Sequence, residues 1–393
     1  MVKKFCLCLL LFVFIQSCKL NEKTIISSND VIELDLNPAM EKYNKPMEDI
    51  VQSIEKLVPL ETTEESIVGD MLDCIITDEY IYIKDIYGNY SSVIIFDTNG
   101  KFIMRLKQGN GPGEIISASY VFYDYNTEIL YVANSDLSMN LYKNNGDFIK
   151  KYSPNIFDMN DVVKISDGFL VSQYMNTKNE FKIMELDSNF VKTSEIKLPK
   201  LPLYERGTFA YSIDGNYWIV RTLDNNIYKY YDDSVKLIYH LNYSDYEYIV
   251  NDHIEVYNYA QYYTDLLRNM EDGKYIFENS DFQESDDYML FRFATKYYRL
   301  KYVYYHKKSG KIWSKQFIKK SFYNIVSGNT VLNNHKNTFY GVIIPERIFG
   351  DNDWRWDGKN PNNLLSDNDM KILKNAKEDD NPIIVIYKLK DEI

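Results

Sequence analysis

The chain has 393 residues, with 45 Lys and Arg against 57 Asp and Glu, giving a formal net charge of −12 at pH 7. An acidic surface of this size repels phosphate at a distance, which argues against nucleic acid and anionic lipid headgroups as partners. The aromatic share of 15% rests on 36 Tyr and 20 Phe, and with only 10 Pro and no Ser- or Gly-rich tract nothing beyond residue 50 or so reads as linker or disordered tail.

The N-terminus opens Met1-Val2-Lys3-Lys4 and continues as an apolar run from Phe5 to Ile15, too short to cross a bilayer as a stable helix. A charged start followed by a short apolar stretch is the layout of a secretory signal. The run ends Ile15-Gln16-Ser17-Cys18, which resembles the lipobox of bacterial lipoproteins. Residues 1–17 are therefore expected to be removed and Cys18 to carry lipid, with residues 18–50 forming a tether and a first strand. Cys6 and Cys8 leave with the signal, so Cys74 becomes the one free thiol. A disulfide or cysteine-based metal site within one molecule is excluded, and Cys74 in Leu72-Asp73-Cys74-Ile75-Ile76 reads as a buried strand residue.

From residue 51 to 393 the chain is organised by a repeat. Phe96-Asp97-Thr98-Asn99-Gly100-Lys101-Phe102-Ile103 returns as Tyr142-Lys143-Asn144-Asn145-Gly146-Asp147-Phe148-Ile149, and weaker copies stand at Leu186–Val191, Tyr231–Ile238 and Lys308–Trp313. Each is an apolar run, a polar turn and a second apolar run, the sequence form of a tight hairpin. Another strand pair precedes each hairpin, as at Asp78–Ile83 and Glu128–Val132. Four strands per unit at a near-constant spacing predict a propeller blade. A β-sandwich, the competing all-β fold, does not require a recurrent hairpin.

Five units are expected at 72–107, 117–152, 161–199, 207–243 and 276–319. A sixth is split between 326–344 and 382–390, and its missing strand is expected from the N-terminus, either Val31–Leu36 or Leu57–Leu60. The expected fold is thus an all-β, six-bladed β-propeller closed by an N-terminal strand, so that no free sheet edge remains in the ring. Two helical insertions interrupt it, near 246–272 and 346–381, and Ser366 with Asp369 three residues on is a capping-box start for the second.

With Cys18, the segment Leu57-Val58-Pro59-Leu60-Glu61-Thr62 and the loop Gln108-Gly109-Asn110-Gly111-Pro112-Gly113-Glu114 in view, the chain resembles the six-bladed β-propeller lipoproteins of Gram-negative gut bacteria, which are similar to NHL-repeat propellers. The resemblance implies a lipid-anchored protein of the cell envelope, with the outer membrane as its expected address, and carries no catalytic residues with it.

Few residues point to chemistry. The glycine loop lacks the Lys-Ser/Thr of a phosphate loop and is read as a turn between blades with Glu114 capping it. None of His240, His253, His306 and His335 is paired at i, i+4, and the string from Asp351 to Gly358 has Arg355 where a calcium loop needs an oxygen ligand. No cofactor, metal site or catalytic residue is expected. The binding candidates are Trp354 and Trp356 in the Asn-rich insertion, and Arg206 at the start of the fourth unit. The two indoles either stack on a partner or fold back to pin the insertion to the rim. The expected function is non-catalytic binding of a protein partner or a glycan. The alternative is an envelope hydrolase or lyase with its site at the channel mouth, and convergence of ionisable residues from different blades on one pocket would favour it.

Overall fold

In the computed structural model, residues 21–391 are described apart from 24, 42–43, 88–89, 154–158, 174–181, 200–206, 213–214, 222–223, 232–233, 244–246, 249–274, 296–298, 317–319, 332–336 and 350–355. The expected leader, Cys18, Arg206, Trp354, most of the 246–272 insertion, the first residues of the calcium-like string, His253 and His335 all lie outside the described residues.

The repeated hairpins form as written. In the first, Gly100 N donates to Asp97 O and Asp97 N to Lys101 O, with Gly100 at φ 84. In the second, Gly146 takes the same place at φ 90. A Cβ on Gly100 would also stand 2.2 Å from the carbonyl oxygen of Pro59, so glycine is required there twice over. The third copy puts Phe190 in the left-handed region at φ 62, a conformation costly for an L side chain. Its ring stacks on Phe169 at 4.2 Å between centroids, and that packing offsets the strain.

Six sheets result, one per blade. The first blade comprises Asp70–Ile76, Tyr80–Tyr87, Tyr90–Asp97 and Phe102–Arg105, hydrogen-bonded in that order from the channel outward. The second to fifth follow within residues 118–152, 159–197, 207–242 and 275–316. The sixth joins Val326–Val331, Thr338–Ile343 and Ile383–Leu389 to the N-terminal strand Val51–Pro59, with Ile383 opposite Pro59 and Leu389 opposite Val51. Of the two segments expected to close the ring, the one containing Leu57–Leu60 does so. The chain is an all-β, six-bladed β-propeller.

Val31–Leu36 has another role. Asn21–Lys23 adds to the outer strand of the third blade, Ile25–Asp35 to that of the fourth and Asn44–Pro46 to that of the fifth, each running parallel to its neighbour. The segment expected to be a tether with one strand is therefore a belt around half of the rim. It covers backbone donors and acceptors that a bare edge would expose.

The core is divided among the joints between blades. Six apolar clusters lie one per joint, from Tyr82, Ile95 and Leu130 between the first and second blades to Val58, Cys74 and Tyr340 between the sixth and the first. Cys74 is buried there, and burial raises its thiol well above the ordinary range, so it is a packing residue and not a nucleophile. The 346–381 insertion holds the helices Glu346–Phe349 and Asp367–Asn375. The second starts on the expected capping box: Asp369 N donates to Ser366 Oγ at 3.1 Å and Ser366 N to Asp369 Oδ2 at 3.0 Å. Of the 246–272 insertion, Glu247–Tyr248 is described, as a short strand parallel to Tyr275–Glu284. Among the described residues no helix is long and apolar enough to cross a membrane.

Candidate binding site at the channel mouth

The innermost strand of each blade faces the central channel, so residues far apart in sequence meet there. In the first three blades this strand carries a bulge at the same place, and the residue following it is Asp73, Tyr120 and Asp161 in turn. The local geometry repeats as well: Cys74 N donates to Asp73 Oδ1 and Val162 N to Asp161 Oδ1, both at 2.8 Å. The repeat thus delivers two carboxylates and a phenol to one level of the channel.

Asp161 is buried and accepts hydrogen bonds from Val162 N, from Phe209 N of the next blade at 2.7 Å, and from the Tyr120 hydroxyl. Burial pushes its carboxyl up to about 7, outweighing those hydrogen bonds, and the charge of Asp73 adds to the rise. The Tyr120 phenol is raised well above its ordinary value, first by burial and then by the Asp161 carboxylate. Lys84, across from Asp73 in the sheet, is held below its usual range by burial.

From this level the channel opens into a cavity of about 230 Å³ on the face that carries the first-to-second-strand hairpins. All six blades reach it. Its wall is aromatic, with Tyr120, Phe122, Tyr123, Tyr125, Phe209, Tyr217 and Tyr340, and its polar groups include Asp73, Asp124, Lys164 and Gln283. Several of these are spent on holding the wall: the Tyr340 hydroxyl donates to Cys74 O, that of Tyr125 to Ile76 O at 3.3 Å, and Lys164 Nζ to Ile165 O at 2.6 Å. Tyr123 stands edge-on to Tyr125 at 5.1 Å between centroids, and burial lifts its phenol to about 12. Such a wall offers flat apolar faces with a few fixed hydrogen-bonding groups, the composition of a small-ligand pocket.

The residues singled out from the sequence do not gather here. Trp356 is buried against Phe322 at 5.9 Å between centroids, with its indole N–H donating to Lys359 O at 2.7 Å, so this indole takes the pinning arrangement. His240 hydrogen-bonds Asn225 and Asn226, and His306 bonds Ser309 and the carbonyl of Asp391. The glycine loop is a turn: Gly111 N donates to Glu114 Oε2 at 2.8 Å, and Gly113 at φ 73 packs under Phe148. Asp161 and Tyr120 were legible only as equivalent positions of the repeat, a polar residue entering an apolar first strand.

Six blades closed by an N-terminal strand over an aromatic channel mouth place the chain in the class of six-bladed β-propellers. Residues 31–388 match a family described as a domain of unknown function, DUF4934, and the chain belongs to that family. No curated protein matches it in sequence. Among solved structures it is similar to BF0058 of Bacteroides fragilis NCTC 9343, assigned as an exported protein, with a TM-score of 0.71 at 15% identity over 92% of this chain and 99% of that one. A DUF4221-family member from Bacteroides vulgatus overlays with a TM-score of 0.51 at 10% identity, over 87% of this chain and 97% of its own. At these identities the likeness is one of fold.

Proposed function

We propose that this protein is a lipid-anchored propeller of the cell envelope, held at the outer membrane through Cys18, that binds an oligosaccharide at its channel mouth. The address rests on the signal-like N-terminus and Ser17-Cys18, and the export assignment of the Bacteroides fragilis structure supports it. The ligand class rests on one observation: a cavity of about 230 Å³ walled by tyrosines from several blades, with Asp73 and Gln283 among them. Tyrosine faces pack on the C–H faces of sugar rings, while carboxylate and amide groups take the hydroxyls. The wall is pre-formed because its phenols are tied to neighbouring backbone, which lowers the ordering cost of binding.

A neutral-oligosaccharide array probed with the mature protein tests this. At least one glycan should be retained, and Tyr123→Ala or Tyr217→Ala should weaken it by about 2 kcal/mol each, as for central anchors. Retention of no glycan, or undiminished binding by both variants, contradicts the proposal.

A second reading, a hydrolase or lyase at the same mouth, is favoured by Asp161, whose carboxyl near 7 could exchange a proton through Tyr120 with a bound sugar. Its mark would be shortened products in the same incubations, or unsaturated products once uronate-containing glycans are added, abolished by Asp161→Asn. Glycan recovered intact assigns the site to binding.

A further inference from the structure

The belt shows what the outer edges of this propeller accept. In the third blade the outer strand is offset by one residue between Glu185 and Leu186, and Asn21–Lys23 pairs beyond that bulge with Ser194, Glu195 and Ile196. In the fourth the offset lies further from the hairpin, between Ile227 and Tyr228, and Ile25–Asp35 pairs on both sides of it, with Val235 to Leu237 and with Tyr239 to Asn242. The second blade has the third blade's bulge, between Leu141 and Tyr142, and the positions matching Ser194, Glu195 and Ile196 are Lys150, Lys151 and Tyr152. Among the described residues no strand lies beyond them, and the belt starts one blade further round.

This edge is apolar and basic. Phe148–Tyr152 leaves Phe148 37% and Ile149 41% exposed, with Lys150 and Lys151 exposed beside them. Lys150 lies over the Tyr152 ring at 4.3 Å, and Lys151 reaches Asp136 at 3.4 Å in a solvent-exposed ion pair worth little. The first blade differs at the same place: Arg105 is bound to the buried Asp85, and Leu106 is buried. We propose that Lys150–Tyr152 on the second blade is a docking edge for an extended, acidic segment of a partner protein, which joins it as a parallel fifth strand.

Strand addition draws affinity from main-chain hydrogen bonds and specificity from alternate side chains. Carboxylates opposite Lys150 and Lys151 match the basic edge in an otherwise acidic molecule. A second copy is disfavoured as the occupant. Two such edges would set lysines against lysines, and the belt of each copy is already seated on its own blades.

The test uses a peptide of residues 25–36, which carries Asp30, Glu33 and Asp35, added to the mature protein with hydrogen exchange read by mass spectrometry. Exchange should slow saturably at residues 148–152, and the double variant Lys150→Glu, Lys151→Glu should need at least about tenfold more peptide at an unchanged melting temperature. Protection absent from 148–152, equal in the variant, or confined to the fourth blade at 234–242 overturns the proposal. So does protection that grows with protein concentration without peptide, which would mean that copies pair with one another.

Discussion

Asp161 ties the repeat to a measurable charge. Its folded-state carboxyl sits near 7 against an ordinary value of 3.8, so between those values the folded chain keeps a proton that the unfolded chain has released. Stability therefore declines as pH rises through that window and levels off above about 7, where both states are ionised. Asp161→Asn removes this contribution: melting temperatures of variant and wild type, followed from pH 4 to 8, should diverge in slope, with the wild type falling more steeply. Parallel curves would show that the carboxyl titrates normally. Trp356 makes the opposite case, a residue whose type suggests recognition and whose surroundings assign it to packing. Trp356→Ala should cost about 3 kcal/mol of stability, as other buried aromatic truncations do, while oligosaccharide binding is unchanged. A stable variant with impaired binding would return the insertion to the site.

At the scale of elements, the hairpins and the units were legible because each obeys a local rule, polar turns and period-two apolar runs, and the unpartnered last strand at Ile383–Leu389 called for an N-terminal partner without saying which of two segments it was. The belt was not. Val31–Asp35 alternates as an edge strand should, but alternation says nothing of which edge it meets, and its parallel pairing to the fourth blade depends on contacts some two hundred residues away. The channel residues were hidden for the same reason, since Asp73, Tyr120 and Asp161 converge only when three blades stand side by side. The two N-terminal roles separate experimentally. Deleting residues 19–46 strips the belt from three outer edges and takes Leu34, Leu36 and Ala39 out of the joint between the fourth and fifth blades, and should lower the melting temperature by several degrees, with the cooperative transition retained. Deleting 19–62 also removes Val51–Pro59 and its buried Val51, Leu57 and Val58, exposing the sixth blade and its two joints. That loss should be much larger and should broaden the transition. Equal losses would contradict closure through Val51–Pro59.

At the scale of the molecule, the propeller is a rigid ring whose joints are sealed by apolar clusters, leaving the channel mouth and the outer edges as the surfaces that can meet something else. The anchor is tested by Cys18→Ala, which should move the protein from the membrane to the soluble fraction and abolish its labelling by radioactive fatty acid. Unchanged partition into detergent would dismiss the lipid. Whether the aromatic channel mouth is the ligand site is decided by a crystal structure of the mature protein soaked with an array-selected oligosaccharide. Sugar density is expected within the cavity, packed on Tyr123 and Tyr217 and hydrogen-bonded to Asp73 or Gln283. Density seated on the 346–381 insertion or on the outer rim, with the channel mouth empty of sugar, would contradict it.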